Sequence, residues 1–185
     1  MSAPTRYATS LVVSHWLMAV LIVGTFTLGD YVSDLRLSPT KLQLISYHKW
    51  LGVTVFLLLL WRIALRLTRA VPAPLPVPAW QQRTAGVTHG LLYTLMLAVP
   101  LTGWLMSSAK GFPVVYLGVL PLPDLLAKNE ALGDFFEGAH EILTSGLLLL
   151  VGLHVAAALK HHLIDRDATL ARMLPILKRT PAKES

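Results

Sequence analysis

Long apolar runs alternate with short polar stretches along the chain, and four runs are long enough to cross a lipid bilayer. A membrane-spanning helix needs about 20 residues. Gly29-Asp30 is expected to end the first run, an extended linker with four prolines (residues 72–78) follows the second, and Pro100 kinks the third. The pattern predicts an all-α membrane protein, a bundle of four transmembrane helices at about residues 9–28, 47–67, 86–106 and 137–159.

The composition agrees with membrane insertion. Hydrophobic residues make up 54% of the 185 residues and charged residues only 14%, whereas soluble domains are about one-quarter charged. With no cysteine, the chain has no disulfides, iron–sulfur clusters or covalently attached c-type haem. We expect the first run to be a retained helix rather than a signal peptide, since no small-residue cleavage site follows it. Residues 1–175 are predicted to form one transmembrane domain, and residues 176–185 a disordered basic tail.

The net charge of +6 is distributed as in a membrane protein rather than a nucleic-acid-binding one. Arginines without nearby acids follow the second run, and lysines and arginines dominate the C-terminal tail. The two remaining connections carry acids beside their few lysines and arginines. By the positive-inside rule, both termini and the middle connection are predicted to lie in the cytoplasm. The basic excess thus sets topology, and no nucleic-acid partner is expected.

Two histidines lie inside the fourth apolar run. His140 and His154 are 14 residues apart, close to four helical turns, so they fall within roughly 40° of one face and roughly 21 Å apart along the axis. Ionisable residues inside a membrane are costly and usually functional. Ligands at two depths of one helix are best explained by two stacked b-type haems.

Depth sorts the other histidines into two groups. His48 and His140 lie near the outer face, and we call them the outer pair. A haem with two imidazole ligands needs histidines at matched depth on facing helices, and the outer pair satisfies this by elimination. Three histidines lie near the cytoplasmic face, and we call them the inner set: His15, His89 and His154. The inner set has one histidine more than a single haem requires.

Other chemistry also fits parts of this pattern. Three inner histidines suit zinc or copper, although the outer pair would then be unexplained. A proton relay through Glu137 or Glu141 is another alternative, but both carboxylates lie only at the outer edge. A non-redox protein with structural histidines remains a third. Glycines close to the predicted ligands favour a flat macrocycle, although small residues also promote helix packing in lipid: Gly52, Gly90, Gly138 and Gly152.

Several short motifs, in this order and spacing, resemble those of the bacterial cytochrome b561 family over about residues 5–175. The tail segment 169–175 is part of the match. The motifs are Ser14-His15-Trp16, His48 with Gly52, Trp61-Arg62, His89 with Pro100, His140-Glu141, and Gly152-Leu153-His154.

The resemblance implies an inner-membrane protein with two haems b that exchanges electrons with ubiquinone, and some family members are superoxide oxidases. It also implies that His15 pairs with His154 at the inner haem, and His48 with His140 at the outer one. Position alone leaves His89 open as the partner of His154.

The resemblance places His161 at a quinone contact and leaves His89 beside the inner haem, so both are candidates for a quinone site. Further candidates to contact a quinone at the cytoplasmic end are Arg62, Arg66, Arg83 and Trp80. At the outer end, Lys41 and Lys49 are suited to attract an anionic donor, either superoxide or an unidentified periplasmic donor.

One alternative keeps the same scaffold as the electron-transfer subunit of a larger dehydrogenase or hydrogenase-type complex. That role needs a docking surface for a catalytic partner. The outer connections are short, with one amphipathic piece expected around residues 117–132, and they offer little surface for docking.

Overall fold

Four long helices account for most of the computed structural model, which describes residues 6–174 and 176–177. Short segments join them, and a two-stranded antiparallel hairpin lies between the last two helices. A turn of 3-10 helix, η1, follows the fourth helix. The elements in chain order are α1 (Thr9–Ser33), α2 (Pro39–Thr68), α3 (Ala79–Ala109), β1 (Val115–Tyr116), β2 (Leu120–Pro121), α4 (Glu130–Leu163) and η1 (Leu170–Arg172).

All four helices are long and apolar enough to cross a membrane, which confirms the predicted four-helix membrane fold. Many of their large apolar side chains are exposed, and only a small part of each span is buried within the protein. In a soluble protein such a surface would aggregate, whereas lipid solvates it. α3 continues through Pro100, as expected for a membrane helix.

The helices begin and end beyond the apolar runs. α1 continues past Gly29-Asp30 to Ser33, so the predicted end of the first helix is wrong. α2 begins at Pro39, where the Ser38 hydroxyl accepts a hydrogen bond from the Lys41 amide at 3.1 Å. α4 begins at Glu130, where Asn129 caps the first turn in the same way. Polar helix caps therefore extend these helices into regions without apolar periodicity.

Two helical hairpins make up the bundle. α1 packs along α2, α3 packs along α4, and α2 also contacts α3, whereas α4 has at most sparse contact with α1 and α2. One end of the bundle, the hairpin end, carries residues 34–38 and 110–129. The other, the tail end, carries residues 69–78, 164–174 and 176–177. The histidines of α4 therefore face α1 and α2 across a gap between the hairpins.

The segment between α3 and α4, which includes most of the amphipathic piece expected around residues 117–132, is an ordered β-hairpin and loop. Leu117 and Gly118 turn the hairpin with positive φ angles of 54° and 74°. The hairpin docks on α2, where the Trp50 indole donates to the Val115 carbonyl at 2.7 Å. This hydrogen bond ties the hairpin to α2.

Of the predicted basic tail at residues 176–185, only residues 176–177 belong to the described part of the chain.

Candidate functional site

The outer pair lies across the gap between α2 and α4, near the hairpin end. The rings of His48 and His140 have centres 6.3 Å apart and planes at 86° to one another. Both side chains are half-buried. The fold therefore brings the two histidines together as depth predicted.

Each imidazole of the outer pair donates a hydrogen bond to the main chain of a neighbouring helix. His48 Nδ1 lies 3.0 Å from the Thr25 carbonyl oxygen of α1, and His140 Nδ1 lies 2.9 Å from the Val99 carbonyl oxygen of α3. The Thr102 hydroxyl oxygen is 3.4 Å from the same nitrogen of His140. Since Nδ1 carries the proton, Nε2 of each ring has a free lone pair, the arrangement found in histidines that bind metals.

Two glycines that the sequence analysis did not identify make room for these rings. A Cβ at Gly29 would stand 2.8 Å from His48 Cε1, and one at Gly103 would stand 3.1 Å from His140 Cε1. A Cβ at Gly29 would displace the imidazole of His48, and one at Gly103 would press on the imidazole of His140. Sequence alone has no signal for this contact, since it depends on the rotation of one helix against another.

The four glycines expected beside the ligands play a different part. A Cβ built at Gly52, Gly90, Gly138 or Gly152 meets no protein atom within 4 Å. They therefore leave open space rather than relieve protein contacts. Gly52 lines the cleft between the two histidines of the outer pair.

That cleft is apolar apart from the histidines and two threonines. Val55, Met96 and Leu147 are among the side chains around it. The Thr144 hydroxyl is buried there without a hydrogen-bond partner among the described residues. Two free imidazole nitrogens, an apolar lining and open space beside Gly52 fit a flat, largely apolar group with a central metal, such as haem b.

The inner set also converges. His15 on α1 has its ring centre 6.2 Å from that of His154 on α4, and His89 on α3 has its centre 5.3 Å from the same ring. His15 and His154 are half-buried, and His89 is exposed. The structure thus brings all three predicted residues together, with the ring of His154 close to both of the others.

A buried arginine lies beside the inner set. Arg62 is 7% exposed, and its Nη1 donates to the Leu11 carbonyl at 2.6 Å and to the Ser14 hydroxyl at 2.8 Å. Ser14 immediately precedes His15 and is fully buried. Arg62 therefore joins α2 to α1 and places a positive charge near the inner set.

The other basic and aromatic candidates at the tail end are exposed. Arg66 and Arg83 both face outward, and Trp80 is 65% exposed. These three side chains border the tail end, whereas Arg62 belongs to its interior.

His161 lies near the end of α4, against two carboxylates of the following turn. Its Nδ1 is 2.7 Å from Asp167 Oδ2 and 3.1 Å from Asp165 Oδ2. Lys160 also pairs with Asp165, at 2.7 Å. Partial burial acts to raise the pKa of Asp167, but hydrogen bonds from Thr169 and His161 outweigh it and hold that pKa below its ordinary value. Asp167 is thus an anionic partner for His161.

The segment after α4 folds back beneath the bundle. The Trp16 indole of α1 donates to the Met173 carbonyl at 2.7 Å, and Arg172 donates to the Ala73 carbonyl of the proline-rich linker at 2.7 Å. Trp16 also packs edge-on against His15, with ring centres 5.3 Å apart. The tail and the linker therefore border the space below the inner set.

At the hairpin end, the two predicted lysines are bound to main-chain oxygens. Lys49 donates to the Phe112 carbonyl at 2.9 Å, and Lys41 donates to the Leu35 carbonyl at 2.6 Å. Because a carbonyl oxygen carries no formal charge, these hydrogen bonds do not neutralise the two ammonium groups. Lys110 instead pairs with Asp134 and Glu137, and its hydrogen bond to Glu137 raises its pKa.

Known proteins resemble the chain over nearly its whole length. The sequence model described as prokaryotic cytochrome b561 matches residues 6–175. The chain is 34% identical to cytochrome b561 homolog 2 of Escherichia coli (strain K12) over 94% of this chain and 93% of that protein. It is 28% identical to cytochrome b561 homolog 1 of the same organism, over 92% of this chain and 97% of that protein. It is 27% identical to a probable superoxide oxidase, CybB, of Yersinia pestis, over 92% of this chain and 96% of that protein.

These matches cover all four membrane helices and all the histidines of the two clusters. Together with the four spans, they indicate a multi-pass protein of the bacterial inner membrane. The chain therefore belongs to the prokaryotic cytochrome b561 family, whose members are membrane electron-transfer proteins that bind haem b.

Proposed function

We propose that this protein holds two haems b and carries electrons across the inner membrane to ubiquinone, with superoxide as the donor. The observation that carries the proposal is the presence of two histidine pairs at different levels of α4, with ring centres 6.3 Å apart in one and 6.2 Å in the other. The two α4 histidines are 14 residues apart, or roughly 21 Å along the helix.

The ring spacing supports His48 with His140 and His15 with His154 as axial ligands. A metal bonded to two imidazole nitrogens at about 2 Å each places opposing ring centres about 6 Å apart. Both pairs have this spacing, whereas His89 is closer to His154, at 5.3 Å. We therefore assign His89 to a position beside the inner haem, where it is available to contact a quinone.

When bound, haem b supplies one-electron oxidation and reduction of iron. The protein's residues hold it and limit its chemistry. His48 with His140, and His15 with His154, would each hold the group through two imidazoles, which would leave no open position for oxygen. The apolar lining of the outer cleft excludes water, and the carbonyls of Thr25 and Val99 orient the outer rings. These features suit electron transfer rather than oxygen activation.

For the quinone site, the tail end offers His161 as the best-placed hydrogen-bond donor. Its Nδ1 is engaged with Asp167, so Nε2 is available to a ligand. Arg62 is less suited, because its Nη1 is already bonded to α1. Arg66, Arg83 and Trp80 are exposed near the membrane surface, where they border a path for a quinone arriving from lipid.

The distribution of basic residues supports the orientation in the membrane. Arg69 of the linker after α2, with Arg66 and Arg83 in the adjoining helix ends, and Arg166 and Arg172 after α4 all belong to the tail end. The positive-inside rule then assigns the tail end and both termini to the cytoplasm. Quinone reduction takes up protons, and on this side they come from the cytoplasm.

Two observations support superoxide as the donor at the hairpin end. One relative is named as a probable superoxide oxidase. Lys41 and Lys49 also provide positive charge at this end, where both are bonded to main-chain carbonyls and Asp124 is an acid near Lys49. Positive charge favours the approach of a small anion.

Stopped-flow reduction of the purified, oxidised cytochrome by superoxide tests the proposed donor and acceptor together. We expect superoxide to reduce the haems, and ubiquinone to reoxidise them and sustain turnover. Lys49→Gln should slow the superoxide step several-fold and weaken its dependence on ionic strength, while Lys128→Gln, an exposed lysine of the same end, serves as the matched control. Failure of superoxide to reduce the haems would contradict the proposed donor.

A further inference from the structure

The same arrangement of carbonyl and glycine occurs in two helices. In α1, the Thr25 carbonyl accepts a hydrogen bond from His48, and Gly29 follows Thr25 by four residues. In α3, the Val99 carbonyl accepts a hydrogen bond from His140, and Gly103 follows Val99 by four residues. Residues four apart lie one above the other on a helix face. The missing side chain therefore opens that face just where the imidazole approaches the carbonyl. We call each arrangement a glycine notch.

The inner set lacks such notches. No hydrogen bond joins the ring nitrogens of His15 or His154 to the protein within the described part of the chain. The buried charge of Arg62 lies nearby instead, bonded to Leu11 and Ser14, with no carboxylate paired to it in residues 6–174 and 176–177. The two histidine sites therefore differ both in hydrogen bonding and in local charge.

Both differences change the midpoint potential of a haem bound at the site, each in a predictable direction. An imidazole that donates to a carbonyl becomes a more basic ligand, which stabilises the ferric state and lowers the potential. An unpaired buried cation favours the state with less positive charge on the iron, and so raises the potential. The outer pair has the first feature and the inner set has the second.

We propose that Gly29 and Gly103 are positioning residues that hold the outer histidines on their carbonyls and so set a lower midpoint potential there than at the inner set. The inference rests on the proposed ligand assignment. With haem b held at both sites, this difference would favour the transfer of one electron from the outer site, which would be oxidised, to the inner site, which would be reduced. No bond forms or breaks and no proton moves, so the fold itself directs electrons from the hairpin end to the tail end.

Potentiometric titration of the purified holoprotein, followed optically and by electron paramagnetic resonance, tests this inference. In Gly29→Ala and Gly103→Ala the added methyl group pushes the imidazole from its carbonyl. We expect the lower potential to rise by about 59 mV, a tenfold change in the one-electron equilibrium constant. The low-spin ferric signal of that haem should also shift, while the other haem stays unchanged.

The matched controls are Gly24→Ala in α1 and Gly86→Ala in α3, since a Cβ at either position meets nothing within 4 Å. Both should leave the two potentials and both ferric signals as in the native protein. Arg62→Gln retains a donor for the α1 carbonyl but removes the charge, and it should lower only the higher potential. If the Gly29→Ala protein does not fold with its haems, the Gly103→Ala protein is used for the test. Its added Cβ would stand 3.1 Å from His140 Cε1, which is the less severe contact.

His140→Ala identifies which haem belongs to the outer pair. If that variant keeps both haems, the ligand assignment fails. If it loses one haem, but the two glycine variants match their controls or shift the other haem, the ligand assignment stands and the inference about the notches is overturned.

Discussion

The outer-pair histidines are each fixed by a helix other than the one that carries them. His48 of α2 is held by α1, and His140 of α4 is held by α3. The histidines themselves could be predicted, because polar residues in apolar runs are conspicuous and their depth follows from the topology. Gly29 and Gly103 could not, since their role depends on the rotation of neighbouring helices.

Substitution of single histidines distinguishes the proposed ligands from their neighbour. We expect His140→Ala and His15→Ala each to lose one of two haems, because an axial bond is removed. His89→Ala should retain both, since His89 is the exposed member of the inner set. Pyridine haemochrome assays on the purified variants give the haem content. Loss of the inner haem in His89→Ala, with His15→Ala unaffected, would show that the pairing is wrong.

At the scale of elements, the tail segment is an integral part of the bundle. Residues after α4 are tied to α1 through Trp16 and to the proline-rich linker through Arg172. The apolar pattern predicted four helices but not these contacts, because they are single hydrogen bonds to carbonyls. It also missed the first turns of α2 and α4, which depend on the polar caps Ser38 and Asn129.

Removal of the Trp16 bond should loosen the tail. Trp16→Phe keeps an aromatic ring beside His15 but cannot donate to Met173. A net loss of about 1 kcal/mol raises the open population of the tail about fivefold. Tryptic cleavage at Arg166 in detergent, followed by mass spectrometry, should accelerate by a similar factor. Trp80→Phe is the control, since Trp80 is exposed, and equal cleavage rates in the two variants would argue against the anchoring role.

At the scale of the whole molecule, the two ends of the bundle differ in charge and in covering. The hairpin end has acids beside its lysines and is covered by the β-hairpin loop, whereas the tail end is strongly basic. This asymmetry is the basis for the proposed orientation and for the proposed direction of electron transfer.

The absence of native cysteine makes the orientation directly measurable. Single cysteines at Asp124→Cys, in the hairpin-end loop, and Ser185→Cys, at the C-terminus, can be labelled with a membrane-impermeant maleimide. In spheroplasts we expect labelling at position 124 alone, and at position 185 only after lysis. The reverse pattern would contradict the positive-inside assignment.

The central claim is that two histidine pairs hold two haems in one chain. The most direct measurement is the ratio of haem to protein in the detergent-purified protein, from the pyridine haemochrome and quantitative amino-acid analysis. Two haems b per chain are expected. A colourless preparation, or a single haem in fully loaded protein, would contradict that claim.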